Sequence, residues 1–235
     1  WLSAATSAGV MIGPAIGSLA AAWGVLGPGY VAAGLCVLNM IFASIWLPES
    51  NGKRGAAPRQ PAPKRATSAA MLEVLRQPTG ALGSLVWIYS TGMMAFMAMN
   101  GVLALFLERR YDVDETTIGW FYVYVGAVSL IMRSFLLGPA IKRVGEVGSL
   151  RLGALAMAIG LGALRLARKL PGLALAVLLM PVGTALLFPA TTSLVSHRAP
   201  ENQTGLYLGV QQSFGGVSRM IGPLWAGAAF QHLGI

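Results

Sequence analysis

Long uncharged runs alternate along the chain with short segments that concentrate the charges. Crossing the hydrocarbon core of a bilayer takes about 20 apolar residues as a helix. Four runs reach that length, and three shorter ones end at or near an arginine. Together they predict seven membrane-spanning helices, at residues 1–23, 26–47, 79–107, 116–132, 152–164, 170–196 and 205–218. Open sheets cannot cross lipid and the alternation typical of a barrel strand is absent, so the predicted fold is all-α and transmembrane.

Charged residues are scarce in this chain. They make up 11% of the 235 residues, while 55% are hydrophobic; a soluble domain averages about 25% charged residues. Most of the surface is therefore expected not to meet water. The single cysteine, Cys36, excludes an intrachain disulfide and lies in an apolar run, where a lone thiol usually behaves as a small hydrophobe.

The net charge of +9 is explained by membrane topology. Ten basic residues fall in residues 49–80, in the loop expected around 138–151 and at Arg198, while five fall on the opposite side. Because positive charges concentrate on the cytoplasmic side of a membrane, residues 49–80 are predicted to be cytoplasmic. This explanation excludes a nucleic acid as partner.

Residues 53–65 are rich in proline and basic side chains and predict a solvated linker. The following segment, 68–78, places Met71, Leu72 and Leu75 on one helical face. It predicts a short amphipathic helix on the inner membrane surface. An ordinary cytoplasmic helix is the alternative that the sequence leaves open.

Two Gly-Pro pairs interrupt otherwise regular helical segments near the two ends of the chain. Pro14 lies beside small residues that recur every fourth position, and Pro223 lies beside a second such strip, Ser218, Gly222 and Ala226. Small-residue strips allow two helices to approach closely, and neighbouring helices and waters make a proline tolerable in lipid. Two bent copies in one chain indicate internal repeats, from which transporters are often built.

The spacing Gly9-x-x-x-Gly13-Pro14-x-x-Gly17 resembles the fifth-helix motif of the major facilitator superfamily, especially its drug/proton antiporters. That family's pattern ends Gly-Gly, whereas Ser18 follows Gly17 here. The segment from Gly138 to Glu146, "GPAIKRVGE", resembles the second copy of the family's loop signature, with Lys142 where an Asp usually stands. The proposed conformational motif consists of Gly9, Gly13, Pro14, Gly17, Gly138, Arg143, Gly145, Gly222 and Pro223.

The resemblance implies that the seven spans are helices five to eleven of a twelve-helix fold of two six-helix halves, incomplete at both ends. Residues 1–48 would end the N-terminal half, 49–78 would form the cytoplasmic linker, and 79–235 would form the C-terminal half without its last helix. Bent, glycine-lined helices at the interface between the halves would let one half rock against the other.

The resemblance further implies a secondary active transporter in a bacterial inner membrane, which exports drug-like compounds by alternating access in exchange for protons. A sugar or metabolite carrier of the same superfamily is the nearest alternative. A seven-helix receptor or sensor is the alternative from another class. The expected partners are the lipid bilayer, a small-molecule substrate, protons and the missing helices of the same protein; no enzyme activity, cofactor or metal is expected.

Six residues in the predicted spans or directly after one are candidates for the substrate path: Tyr89, Met93, Met97, Asn100, Gln211 and Arg219. The first four share one stripe of the helix that the resemblance places beside the central cavity. Flexible methionines suit a promiscuous apolar site, although core or lipid packing is the alternative.

Arg219 is basic and lies deep inside a span, which by default indicates function. Its alternative role is bonding to backbone carbonyls near Pro223. Gln211 has two open roles, substrate binding or the bridging of helices. His197 is either a proton shuttle or an exposed histidine at a span end.

Overall fold

The structure is a computed structural model in which all described regular elements are helices. It describes residues 26–47, 67–111, 115–166, 170–200 and 202–233, and the single residues 9, 13, 16, 17, 20, 23 and 24. The helices are α1 (Gly27–Trp46), α2 (Thr67–Arg76), α3 (Ala81–Tyr111), α4 (Glu115–Ile131), α5 (Leu137–Leu166), α6 (Leu170–Arg198) and α7 (Thr204–Leu233). A π-helical turn, Met132–Leu136, joins α4 to α5.

Four helices are long and apolar enough to cross a membrane: Gly27–Trp46, Ala81–Arg110, Leu137–Leu164 and Gly172–Arg198. Three of them coincide with predicted spans, and the fourth, Leu137–Leu164, begins well before the predicted span 152–164. The all-helical membrane fold is confirmed. A shorter apolar helix, Val123–Phe135, falls in the fourth predicted span. Most of the first predicted span, including Pro14, and residues 48–66 of the linker lie outside the described residues.

Helices α2 to α7 pack into one bundle. The most extensive packing joins α5 to α6 and α3 to α7, and α6 also contacts α3, α4 and α7. One apolar cluster fills the bundle toward the C-terminal end of α3 and includes Leu103, Leu107, Leu173 and Met180. A second fills the opposite end and includes Val74, Val86, Val195 and Tyr207.

Helix α1 differs from the others because its large apolar side chains are exposed. Leu38, Met40, Ile45 and Trp46 are each about two-thirds exposed. Among the described residues, α1 takes part in none of the main helix–helix packings. The six other helices therefore form the bundle in which a site can be sought.

The loop expected around residues 138–151 is helical apart from one residue. Gly145 has φ 71° and ψ 177°, whereas its neighbours on both sides are helical. This positive φ suits glycine because it has no β-carbon. The expectation of a long loop was wrong, because one glycine ends the first helix after Val144 and the second begins at Glu146.

Helix α2 docks on the ends of α3 and α7 through Ala70 and Val74, which are fully buried. The indole Nε1–H of Trp87 donates to the carbonyl of Val74 at 3.3 Å. Leu72 and Leu75, predicted to share one apolar face with Met71, are about half exposed. Their position on the membrane surface stays a prediction. Ala70 and Val74 thus form the packed face of α2, with Met71 beside them, and Leu72 and Leu75 lie away from it.

Candidate substrate cavity

A wide, open depression with a volume of about 550 Å³ lies between α3, the π turn, α6 and α7. It is here called the Arg133 cavity. Its wall combines a cation, hydroxyl groups and apolar side chains, the mixture typical of a small-molecule site. The lining residues are Tyr89, Arg133, Phe188, Pro189, Thr192, Ser193, Ser196, His197 and Leu208.

The π turn places Arg133 in this wall. A π turn fits an extra residue into the helical coil and is often found at functional sites. The Nε atom of Arg133 is buried and has no hydrogen-bond partner among the described residues. A charged group inside a membrane-spanning region normally faces a cavity or a partner, so this residue marks a candidate functional position.

Helix α6 supplies most of the wall. Pro189 lies inside this helix and has no N–H to donate to the preceding turn. The hydroxyl of Thr192 donates to the carbonyl of Phe188 at 2.9 Å, within the same helix. The proton of Thr192 is therefore engaged, and its oxygen remains an acceptor toward the cavity.

Glu146 ties the start of the second helical part of α5 to α6. Its Oε1 atom accepts a short hydrogen bond from the hydroxyl of Ser193. Its Oε2 atom lies 3.5 Å from Nδ1 of His197, a largely exposed side chain. Helix α6 thus holds the carboxylate of Glu146 at the edge of the cavity.

Tyr89 is the predicted substrate-path residue that lines the Arg133 cavity. Its hydroxyl donates to Oε1 of Gln212 at 3.4 Å, and the same oxygen accepts from Nη2 of Arg219 at 3.3 Å. The ring of Tyr89 packs edge-on against Phe188, with 5.3 Å between ring centroids. Gln212 therefore links Tyr89 on α3 to Arg219 on α7.

The five other predicted residues lie outside the lining of the Arg133 cavity, Arg219 among them. Met93 is buried in the bundle and Met97 packs beside Gly222. Asn100 donates to the carbonyl of Phe96 at 2.8 Å in its own helix. Gln211 is fully buried, and neither polar atom of its amide has a partner among the described residues.

The second small-residue strip faces α3. A β-carbon added at Gly222 would lie 2.8 Å from the carbonyl oxygen of Met94, and the hydroxyls of Ser90 and Ser218 lie 2.7 Å apart. Pro223 packs against Gly101 of α3. The close approach at this Gly-Pro pair therefore lies inside the bundle, between α3 and α7.

The other motif glycines meet few neighbours. A β-carbon at Gly9, Gly13, Gly17 or Gly138 would find nothing within 4 Å among the residues that the structure describes, and Arg143 is exposed. Pro14 lies outside the described residues. Their role in conformational change stays a prediction.

The sequence pattern did not single out Arg133 as a site residue. It was treated as the end of an apolar run, although Phe135, Leu136 and Leu137 continue that run beyond it. This continuation was the available signal, since it places the charge inside a helix.

No group of three metal-ligating side chains occurs in the part of the chain that the structure describes.

Comparisons with known proteins give a consistent result. A family model described as Major Facilitator Superfamily matches residues 1–223. The tetracycline resistance protein, class B, of Escherichia coli is 22% identical over 232 residues, which cover 99% of this chain and 57% of that protein. The class G protein of Vibrio anguillarum is 25% identical over 225 residues, 95% of this chain and 56% of that protein.

A third relative is the uncharacterized MFS-type transporter YttB of Bacillus subtilis (strain 168). It is 24% identical over 237 residues, which cover 98% of this chain and 56% of that protein. The chain therefore spans about half the length of the curated relatives it matches.

Proposed function

The chain belongs to the Major Facilitator Superfamily, and from this premise we propose that it is part of a proton-coupled exporter of drug-like small molecules. Two of the relatives named above are tetracycline resistance proteins, which supports export of such compounds. The fifth-helix motif of Gly9, Gly13, Pro14 and Gly17 supports the same branch of the family.

The observation that carries this proposal is the Arg133 cavity. Helices α3, α6 and α7 and the π turn meet around it, as expected of a site formed between membrane helices. Tyr89 and Phe188 offer aromatic surface, while Ser196 and Arg133 offer polar groups. Such a wall suits an amphiphilic molecule that is partly apolar and partly hydrogen-bonding.

The division into halves is also part of the proposal. Residues 1–48 would end one six-helix half, residues 49–78 would form the cytoplasmic linker, and residues 79–235 would belong to the other half. The exposed apolar surface of α1 supports this division, since α2 to α7 pack with one another and α1 does not share in their main packing. The helices would then be numbers five to eleven of the complete protein.

Transport by the full-length protein in proteoliposomes tests this function. With tetracycline as the probe, we expect uptake into liposomes with an acidic lumen and loss of that uptake when a protonophore collapses the gradient. Uptake that persists without a gradient would contradict proton coupling. Movement of sugars but not of tetracycline or other drugs would replace drug export by a carrier of metabolites.

Alternating access is tested at the first Gly-Pro strip. Gly13→Leu and Gly17→Leu in the full-length protein should abolish transport while membrane insertion is retained, because bulk at these positions blocks a close sliding contact. Gly34→Leu on α1 is the matched control, because Gly34 lies outside the Gly-Pro strip, while a β-carbon at Gly13, Gly17 or Gly34 alike meets nothing within 4 Å among the described residues. Normal transport by the Gly13 and Gly17 variants would remove the hinge hypothesis.

A further inference from the structure

Most hydroxyl protons in the wall of the Arg133 cavity already have acceptors. Tyr89 donates to Gln212, Thr192 donates to Phe188, and Ser193 donates to Glu146. A hydroxyl whose proton is engaged still has lone pairs and presents an acceptor to a ligand. Hydrogen bonds donated to a ligand in the cavity must therefore come largely from residues other than these three.

Arg133 has the donors that the hydroxyl groups lack. A guanidinium carries five N–H donors in a planar fork and accepts no hydrogen bond. The Nε atom of Arg133 is buried without a partner, and no ion pair joins Arg133 to a carboxylate in the described residues. A buried donor without an acceptor is costly. Because Nε itself is shielded from the cavity, a ligand would meet the guanidinium through its terminal Nη groups.

The charge of the wall points the same way. Glu146, the acidic group next to this cavity, is occupied by Ser193 and His197. The lining contains a guanidinium and an imidazole and no carboxylate. The cavity therefore has a positive or neutral wall that contains one guanidinium.

We propose that Arg133 binds an anionic oxygen group of the transported molecule, such as a carboxylate, an enolate or a sulfonate. Phe188 and Leu208 contact the apolar body of that molecule, and the oxygens of Thr192 and Tyr89 accept hydrogen bonds from its donors. This inference rests on the proposed transport function and adds the substrate class. It assigns amphiphilic anions rather than cations or uncharged sugars.

Binding of matched probes to the purified full-length protein tests this inference without requiring transport. The probes are 1-naphthoate, the uncharged 1-naphthamide and the cationic 1-naphthylmethylamine, which share one apolar ring system. Wild-type protein should bind the carboxylate about 10- to 100-fold more tightly than the amide, the range expected for a charge-assisted hydrogen bond. Arg133→Gln should remove this preference and leave amide binding within about 3-fold.

Two variants control the measurement. Arg133→Lys keeps the charge and should retain part of the preference for the carboxylate, although it loses the bidentate fork. Arg151→Gln removes an exposed arginine outside the cavity lining and should change none of the three affinities. If Arg133→Gln does not fold, Arg133→Lys decides the matter, because loss of the preference there contradicts a charge-based site.

The outcomes separate this inference from the proposed function. Equal weakening of all three probes in Arg133→Gln, or tighter binding of the amine than of the carboxylate in wild type, would overturn the anion site while drug export stands. Selective binding of the carboxylate in a protein that moves no drug across a proton gradient would support the anion site and remove the proposed function.

Discussion

The Arg133 cavity and a second cavity lie toward opposite ends of α3 and α7. The second, here called the apolar groove, has a volume of about 400 Å³ and lies between α3, α5 and α7. Its lining includes Met99, Leu103, Phe106, Trp225 and Phe230, and every lining residue is apolar. The two spaces are similar in size, so volume does not distinguish a binding site from a groove.

Chemistry distinguishes them. The Arg133 cavity has a fixed cation and several hydroxyl oxygens in its wall, which can orient a ligand. The apolar groove offers only dispersion and the removal of apolar surface from water, which any membrane lipid or helix side chain also provides. Selective recognition is therefore expected at the Arg133 cavity and not in the groove.

The strongest test of the difference between the two spaces fills each of them separately with a tryptophan. Ser196→Trp in the Arg133 cavity should lower transport at least about tenfold, because a tryptophan buries 150–250 Å² and occupies the ligand volume. Ala229→Trp in the apolar groove should leave transport nearly unchanged. Both rates are measured in proteoliposomes with the full-length protein, and the reverse ranking would place the transport path in the groove.

The close contact between α3 and α7 at Gly222 offers the next test. Gly222→Ala should lower the free energy of unfolding by about 1–3 kcal/mol, because the new β-carbon meets the carbonyl of Met94. Gly209→Ala on the same helix meets open space and should raise it by up to about 1 kcal/mol through helix propensity. Thermal unfolding in detergent measures both, and equal effects would show that α3 and α7 do not pack this closely.

A buried amide outside both cavities tests whether unpaired polar groups always mark a site. Gln211→Leu should leave stability unchanged or raise it by about 1 kcal/mol, because the amide pays for burial without a hydrogen bond. Ser218→Ala is the control and should lower stability by about 1 kcal/mol, since that hydroxyl pairs with Ser90. Lost transport in a stable Gln211→Leu protein would make Gln211 part of the substrate path.

The edge of the Arg133 cavity carries the smallest expected effect. Glu146→Gln keeps an acceptor for Ser193 and removes the charge that faces His197. Because His197 is largely exposed, the loss should be at most about 1 kcal/mol of stability. Glu108→Gln, an exposed change on α3, is the control in the same thermal assay. A much larger loss from Glu146→Gln would show that this tie holds the cavity wall in place.

The apolar pattern was sufficient to predict three of the four long apolar helices among the described residues. A bilayer offers no hydrogen bonds to the backbone, so long uncharged runs such as 79–107 and 170–196 have helix as their way to satisfy it. The small-residue strip around Gly222 also predicted a close helix contact, because spacing by four places residues on one helical face. Which neighbouring helix would be contacted did not follow from the spacing.

The site was less predictable because it depends on local departures from helical regularity. The π turn moves Arg133 relative to an ideal helix, and periodicity alone assumes that helix. Met97 and Asn100 share the stripe of Tyr89 on α3 and yet lie outside the cavity lining, because they stand roughly 12 and 17 Å further along that helix. The contact between Glu146 and His197 joins residues of two helices, and no local pattern encodes such a distance.

The corner at Gly145 has a mechanical consequence. Only Gly145 separates the two helical parts of α5, so no loop between them can absorb their relative movement. A twist of the segment before Gly145 must either change the two dihedral angles of that glycine or be passed at full amplitude to the segment that follows. Glu146 is the residue directly after Gly145, and its carboxylate contacts Ser193 and His197 of α6. A rotation at Gly145 would therefore move these contacts directly.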